Sequence, residues 1–268
     1  MKIYHYTTID NLALILKNKS IRFNRLDYLD DLEEGAVTSS GLHLGKYVFV
    51  SCWTENQEES IPLWKMYTDN GIGVRIALEQ NMFKDYYESR VEIEGKIGTG
   101  HLCSKLPITE MLNPKYIISP IFETSDFYTK IEYIDNIYEK TKETVQIKDL
   151  EKKKTQISIK YEDIGHYKHR RWAFEEESRF VIRMLPRIPN TKLQDINNSL
   201  SNASLTGLEL DITDYYLYLK ENIFDTLEIT LSPQLPVSKR IIIESLTNQY
   251  APNAIIKNSI LEQSIKLK

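Results

Sequence analysis

Seven consecutive residues, Tyr47-Val-Phe-Val-Ser-Cys-Trp53, constrain this chain more than any other stretch. A continuous apolar run without alternation reads as a strand covered on both faces. Such a strand needs neighbours at its edges and packed layers above and below it. With 268 residues, 41% of them hydrophobic and 27% charged, the chain can supply those layers. The expectation is one α+β domain over residues 1–268, with a helical insertion at 115–165.

The flanking segments fit that frame. Lys2 to Tyr6 alternate as a strand. Thr7 or Thr8 can cap a helix through Ile9–Leu16, with Leu12, Ile15 and Leu16 on its apolar face. Ile21-Arg-Phe23 is a short second strand, followed by an acidic loop from Arg25 to Gly35. Ile61 to Tyr67 is a short helix with Pro62 in its first turn, and Gly71 to Ala77 a strand entered through a glycine-bearing turn. Met82 to Gly100 predicts one or two antiparallel strands. Ile121 to Lys160, with its dense Lys and Glu mixture from Glu139 to Lys154, predicts long exposed helices. Pro186 to Ser204 is a polar loop, Gly207–Ile212 and Leu227–Leu231 are strands, Pro236–Tyr250 a helix and Ala254–Lys257 a last strand.

The chemistry-bearing stretch is Lys168-His-Arg-Arg-Trp172-Ala-Phe-Glu175-Glu-Glu177-Ser-Arg179. It reads as a helix end running into a strand, with Glu177 and Arg179 on one side and Ser178 and Phe180 on the other. Glu175 and Glu177 can both aim into a cleft at the strand mouth, where Arg179 can hold one of them. A carboxylate so placed serves as general base or stabilises a developing cation. The alternative is a capped helix followed by an edge strand with surface charges.

Further candidates lie upstream. His5, with Tyr6 and Thr7 after it, can hydrogen-bond a ribose or a carboxamide, or simply nearby backbone. Thr54 at a strand end, and Trp64 and Tyr67 on a helix, offer hydroxyls and rings for a flat heterocycle; packing in the core is the alternative for Trp64. Arg22 and Arg25 can meet a pyrophosphate, or pair with Asp30, Asp31, Glu33 or Glu34. His166 and His169, three apart on an expected helix, offer two metal ligands, but no third follows at a convincing spacing. No metal site is therefore expected. No phosphate-binding glycine loop or nucleophile elbow is present.

These blocks, in order, resemble the bacterial family recorded as domain of unknown function 2971. The matching residues are Ile3-Tyr-His-Tyr-Thr7, Ile21-Arg-Phe-Asn24, Asp31 with Glu34-Gly35, and Ser51-Cys-Trp-Thr54. They continue through Trp64-Lys-Met-Tyr67 with Gly73-Val74, then Lys168…Trp172-Ala-Phe-Glu175-Glu-Glu177-Ser-Arg179, Ile229-Thr-Leu-Ser-Pro233 and Ser259. The opening from Lys2 to Asn18 also resembles DarT-type toxins, ADP-ribosyltransferases that act on DNA. That second resemblance implies an ADP-ribosyltransferase-like core of mixed, largely antiparallel strands with flanking helices. It implies NAD as co-substrate, His5 on a ribose, Thr54 or Tyr67 beside the nicotinamide, and Glu177 as catalytic glutamate with Glu175 as companion. Lys168, Trp172 and Arg179 would support them. The histidine strand and the glutamate strand would lie side by side over a hollow sized for a dinucleotide. The acceptor, nucleic acid or protein, stays open, and a phage-defence or toxin role follows only by resemblance.

Two other functions compete: a nucleotide- or phage-component-sensing module without catalysis, and a metal-dependent nucleotide or phosphodiester hydrolase. A formal net charge of −4 gives no global attraction to nucleic acid or anionic membrane. Two cysteines, Cys52 and Cys103, make no disulfide framework, and no stretch approaches the roughly 18 apolar residues of a membrane span. A cytoplasmic protein is expected.

Overall fold

Thr8 starts the first helix. Its Oγ1 accepts the Asn11 amide at 3.2 Å, satisfying one of the donors that a helix N-terminus leaves open. Helix α1 (Ile9–Asn18) buries Ile9, Leu12 and Leu16 and ends where Lys19 turns left-handed. Strands β1 (Lys2–Thr7) and β2 (Ser20–Arg25) flank it. A computed structural model gives this fold, and it describes residues 1–93, 95–150, 154–160, 164–188 and 210–267.

The apolar run is the central strand, β5 (Val48–Thr54). It follows the short α2 (Leu32–Gly35) and a tight hairpin of β3 (Thr38–Ser39) and β4 (Leu42–His43). One edge of β5 pairs antiparallel with β15 (Glu177–Pro186), from Thr54↔Glu177 to Val48↔Arg183. The other edge is shared by two strands. β1 meets it only at Tyr4↔Thr54, and β2 only at Asn24↔Val50 and Arg25↔Phe49. Between these contacts β1 and β2 part, and the sheet forks.

The rest of the ten-stranded sheet grows outward from this centre. β6 (Val74–Glu79), β17 (Glu228–Leu231) and β18 (Ile255–Lys257) follow β1, with only the last pairing parallel. β16 (Asp214–Tyr218) extends from β2, and β9 (Tyr116–Ile118) and β10 (Tyr128–Lys130) add to β15. The fold is therefore mixed helix and strand around a mostly antiparallel sheet. β7 (Tyr86–Ile93) and β8 (Lys96–Ser104) form a separate hairpin, followed by the one-turn helix Ile108–Met111.

Alternation along β5 and β15 builds two layers. Phe49, Trp53, Phe180 and Ile182 face the main core, which α1 and the helix Val237–Tyr250 cover. There Phe83 meets Phe180 edge-on at 4.8 Å between ring centroids. Each fully buried side chain of this size contributes roughly 1.5–3 kcal/mol. Val48, Val50 and Val181 face a smaller second core with Leu26, Leu44 and Ile137.

The expected helical insertion at 115–165 is not helical. Within it lie β9, β10, β11 (Glu132–Ile134), β12 (Val145–Leu150) and β13 (Lys154–Ile159); among the described residues there, the helical elements are the five-residue helix Ile137–Thr141 and one 3-10 turn. β12 and β13 pair as an antiparallel hairpin, and β11 pairs parallel with β14 (Tyr167–His169). Lys and Glu suit exposed helices, but Val145-Gln-Ile-Lys and Thr155-Gln-Ile-Ser-Ile159 alternate with period two, and that pattern prevails. The helix expected before Glu177 is a 3-10 helix, Arg170–Glu175. Of the strand expected at Gly207–Ile212, residues 207–209 lie outside the described residues; the strand there is β16, starting at Asp214. Of the polar loop, residues 189–204 also lie outside them.

Candidate functional site

A left-handed residue assembles the site. Glu176 ends the 3-10 helix at φ 46°, a conformation that costs a non-glycine residue about 1–2 kcal/mol. The kink lets the flanking carboxylates converge: Lys168 Nζ bonds Glu175 Oε2 and lies 3.2 Å from Glu177 Oε2. Arg179, two residues along β15 and on the same face, donates from Nε to Glu177 Oε1 at 2.8 Å. Its Nη1 donates to Glu34 on α2. Tyr67 donates its hydroxyl to Glu175 Oε1, and the Glu177 amide donates to the Tyr133 hydroxyl at 2.7 Å.

Three carboxyl groups thus face two cations inside the protein. Their environments separate them. Burial alone would raise the Glu177 carboxyl, but Arg179 and Lys168 outweigh burial and hold it down at about 2. Burial raises Glu175, with Lys168 opposing and Glu177 adding. Burial likewise raises Glu34 against the pull of Arg179. Burial and the Glu175 charge push the Tyr67 phenol up, so it stays protonated and donates. Burial would lower Lys168, but Glu177 and Glu175 keep it charged.

This network opens onto a cavity of about 470 Å³ at the fork of the sheet, within the range of small-molecule sites. Glu175, Glu177, Lys168, Tyr67 and Thr54 line it. So do His5, Tyr6, Thr7 and Arg22. The hollow exists, but its two strands are not side by side: β5 lies between β1 and β15. The register also separates their side chains. Tyr4, Thr54 and Glu177 share one face, while His5, opposite Ile76, belongs to the other. His5 reaches the cavity because β1 leaves β5 there, and its Nδ1 donates to the Cys52 carbonyl at 2.7 Å. Burial lowers its pKa, so Nε2 is left as a neutral acceptor.

Four expected residues stand away from the cavity lining. Trp64 is fully buried, edge-on to Tyr6 at 4.9 Å, with its indole N–H on Glu59 at 2.9 Å. It packs the core and offers no platform. Trp172 lies against Lys168, its ring centroid 4.6 Å from Nζ. Arg179 acts through Glu177. Arg25 is bound to Asp27 and to the carbonyls of Leu210 and Ile212, so it holds no pyrophosphate. Arg22 pairs with Asp214 at 3.0 Å, and Thr54 Oγ1 donates to the Glu176 carbonyl at 2.9 Å. Tyr6 accepts the Ser60 amide at 2.8 Å. His166 and His169 lie off any helix; His166 bonds Thr129 and His169 accepts the Arg171 amide.

Sequence reasoning missed Glu34 as a member, because 145 residues separate it from Arg179. It also missed Tyr133, Tyr28 and Tyr216. An alternating Asp214-Tyr-Tyr-Leu-Tyr218 was the available signal for the last. Comparison with known proteins finds no matching family model, curated protein or solved structure. Among the described residues no helix is long and apolar enough to cross a membrane.

Proposed function

We propose that the forked cavity binds NAD or a related nucleotide and that the chain transfers ADP-ribose to an acceptor or cleaves NAD. The buried network, in which Glu177 stays ionised beside a second carboxyl group, carries this reading. A site of that kind favours a ligand that is cationic or becomes so, as ribose does when its bond to nicotinamide breaks. The oxygen of buried Asp31 that has no partner among the described residues, and the cavity volume, fit a polar ligand of nucleotide size.

The two carboxylates divide the work as their environments dictate. Glu177, held ionised by Arg179 and Lys168, stabilises positive charge on ribose while the C–N electron pair leaves with nicotinamide. Glu175, raised and hydrogen-bonded to Tyr67, takes the proton of the acceptor nucleophile as its bond to the ribose carbon forms. His5 offers Nε2 to a hydroxyl at the throat of the fork. The resemblance to DarT-like transferases is what suggested Glu177 as the catalytic glutamate with Glu175 as its companion; a phage-defence or toxin role in the cytoplasm belongs to the same proposal.

The test is incubation with NAD, reading free nicotinamide and ADP-ribose. Glu177→Gln is expected to lower turnover by at least about a hundredfold; full activity in that variant rejects the assignment. One observation favours a second reading, a nucleotide sensor without catalysis: both cations clamp Glu177. Binding without turnover in the wild type supports it, and activity lost to EDTA points to the metal-dependent hydrolase.

A further inference from the structure

We infer that Asp31 anchors the outer lobe of the cavity and that its free carboxylate oxygen takes an uncharged or cationic group bearing O–H or N–H donors, such as the sugar hydroxyls or ring amine of a nucleoside. Asp31 is 5% exposed and lines the cavity. Its Oδ1 is already used, accepting the Glu33 and Glu34 amides at 3.0 and 3.3 Å to cap α2. Its Oδ2 is buried and has no hydrogen-bond partner among the described residues. A buried acceptor left unmade destabilises a fold, and a ligand donor removes that cost.

The surroundings define the ligand. Tyr28 and Tyr216 line the same cavity and are 63% and 46% exposed. The Arg25 guanidinium lies 4.9 Å from the Tyr28 ring centroid and is itself pinned by Asp27 and two carbonyls, so it steadies that ring. Stacking on such rings suits a flat base. Arg22, beside Tyr216, is neutralised by Asp214, while Asp30 and Asp31 add negative charge. The lobe therefore disfavours phosphate and favours hydrogen-bond donors.

This inference rests on the nucleotide reading for its probes, though not on group transfer. Asp31→Asn keeps the capping oxygen but replaces Oδ2 with a donor. Asp31→Ser also caps and removes the second oxygen entirely. The measurement is calorimetric titration of the whole chain with NAD and with adenosine, alongside thermal melts of each variant. Asp31→Asn is expected to melt near the wild type and Asp31→Ser at or above it, and both to bind about tenfold to a hundredfold more weakly. Deoxyadenosine and inosine separate sugar hydroxyl from ring amine: the analogue that loses the Asp31 dependence names the contact. Wild-type affinity in both variants overturns the proposal while leaving NAD turnover standing. Asp31-dependent binding without turnover sinks the transferase alone, and absence of binding by NAD and adenosine sinks both.

Discussion

At the residue scale, Glu177 and Glu176 carry the clearest consequences. The folded Glu177 carboxyl sits at about 2, below its ordinary value, so its stabilisation is present above about pH 4.5 and is lost as pH falls toward 2. Glu175 and Glu34 are raised and act with the opposite sign. Their protonated forms suit the fold, so their contribution is full below the ordinary carboxylate pKa and fades as pH rises through the folded values. Thermal melts from pH 2 to 7 should show the wild type losing stability relative to Glu177→Gln below about pH 4.5, and Glu175→Gln gaining on the wild type toward neutrality. Glu176→Gly should keep NAD turnover and melt at or above the wild type, whereas Glu176→Val should be about 1–2 kcal/mol less stable. Equal melts for the two would show that the left-handed kink is not what places the carboxylates. The sequence exposed Glu175, Glu177 and Arg179 as a group but not the kink, because nothing in Glu-Glu-Glu marks the middle residue for a positive φ.

At the scale of elements, α2 and the strand fork couple distant parts of the chain. Glu34 on α2 holds Arg179, which holds Glu177. Glu34→Gln should therefore weaken catalysis through the orientation of Glu177, lowering kcat more than it raises KM; an unchanged kcat would deny that role. Trp64→Ala should cost about 3–5 kcal/mol from its cavity, with nucleotide affinity in the surviving folded fraction within about threefold. A stacking role would instead destroy affinity. Apolar runs and caps made β5, α1, β17 and the helix Val237–Tyr250 legible. The 115–165 region was misread because exposed Lys and Glu say more about solvent than about backbone, and the short alternating runs of β12 and β13 carried the true signal. The fork was invisible, since it depends on where two strands leave a third, and no local pattern records that.

For the whole molecule, charge and topology set the partners. The chain carries a formal −4, and the exposed Arg170 and Arg171 already pair with Asp135 and Glu33. Retention on single-stranded DNA should vanish by about 0.2 M salt; retention well above that would reveal a basic surface outside these paired arginines. In the proposed binding mode a dinucleotide spans the carboxylate face and the His5 face through the gap between β1 and β2. The most direct measurement is a crystal structure of the chain soaked with NAD. Density should fill that gap, with a ribose against Glu177 and donor groups on Asp31. Clear NAD density elsewhere on the molecule, with the gap empty and Glu177 still clamped by Lys168 and Arg179, would contradict the account.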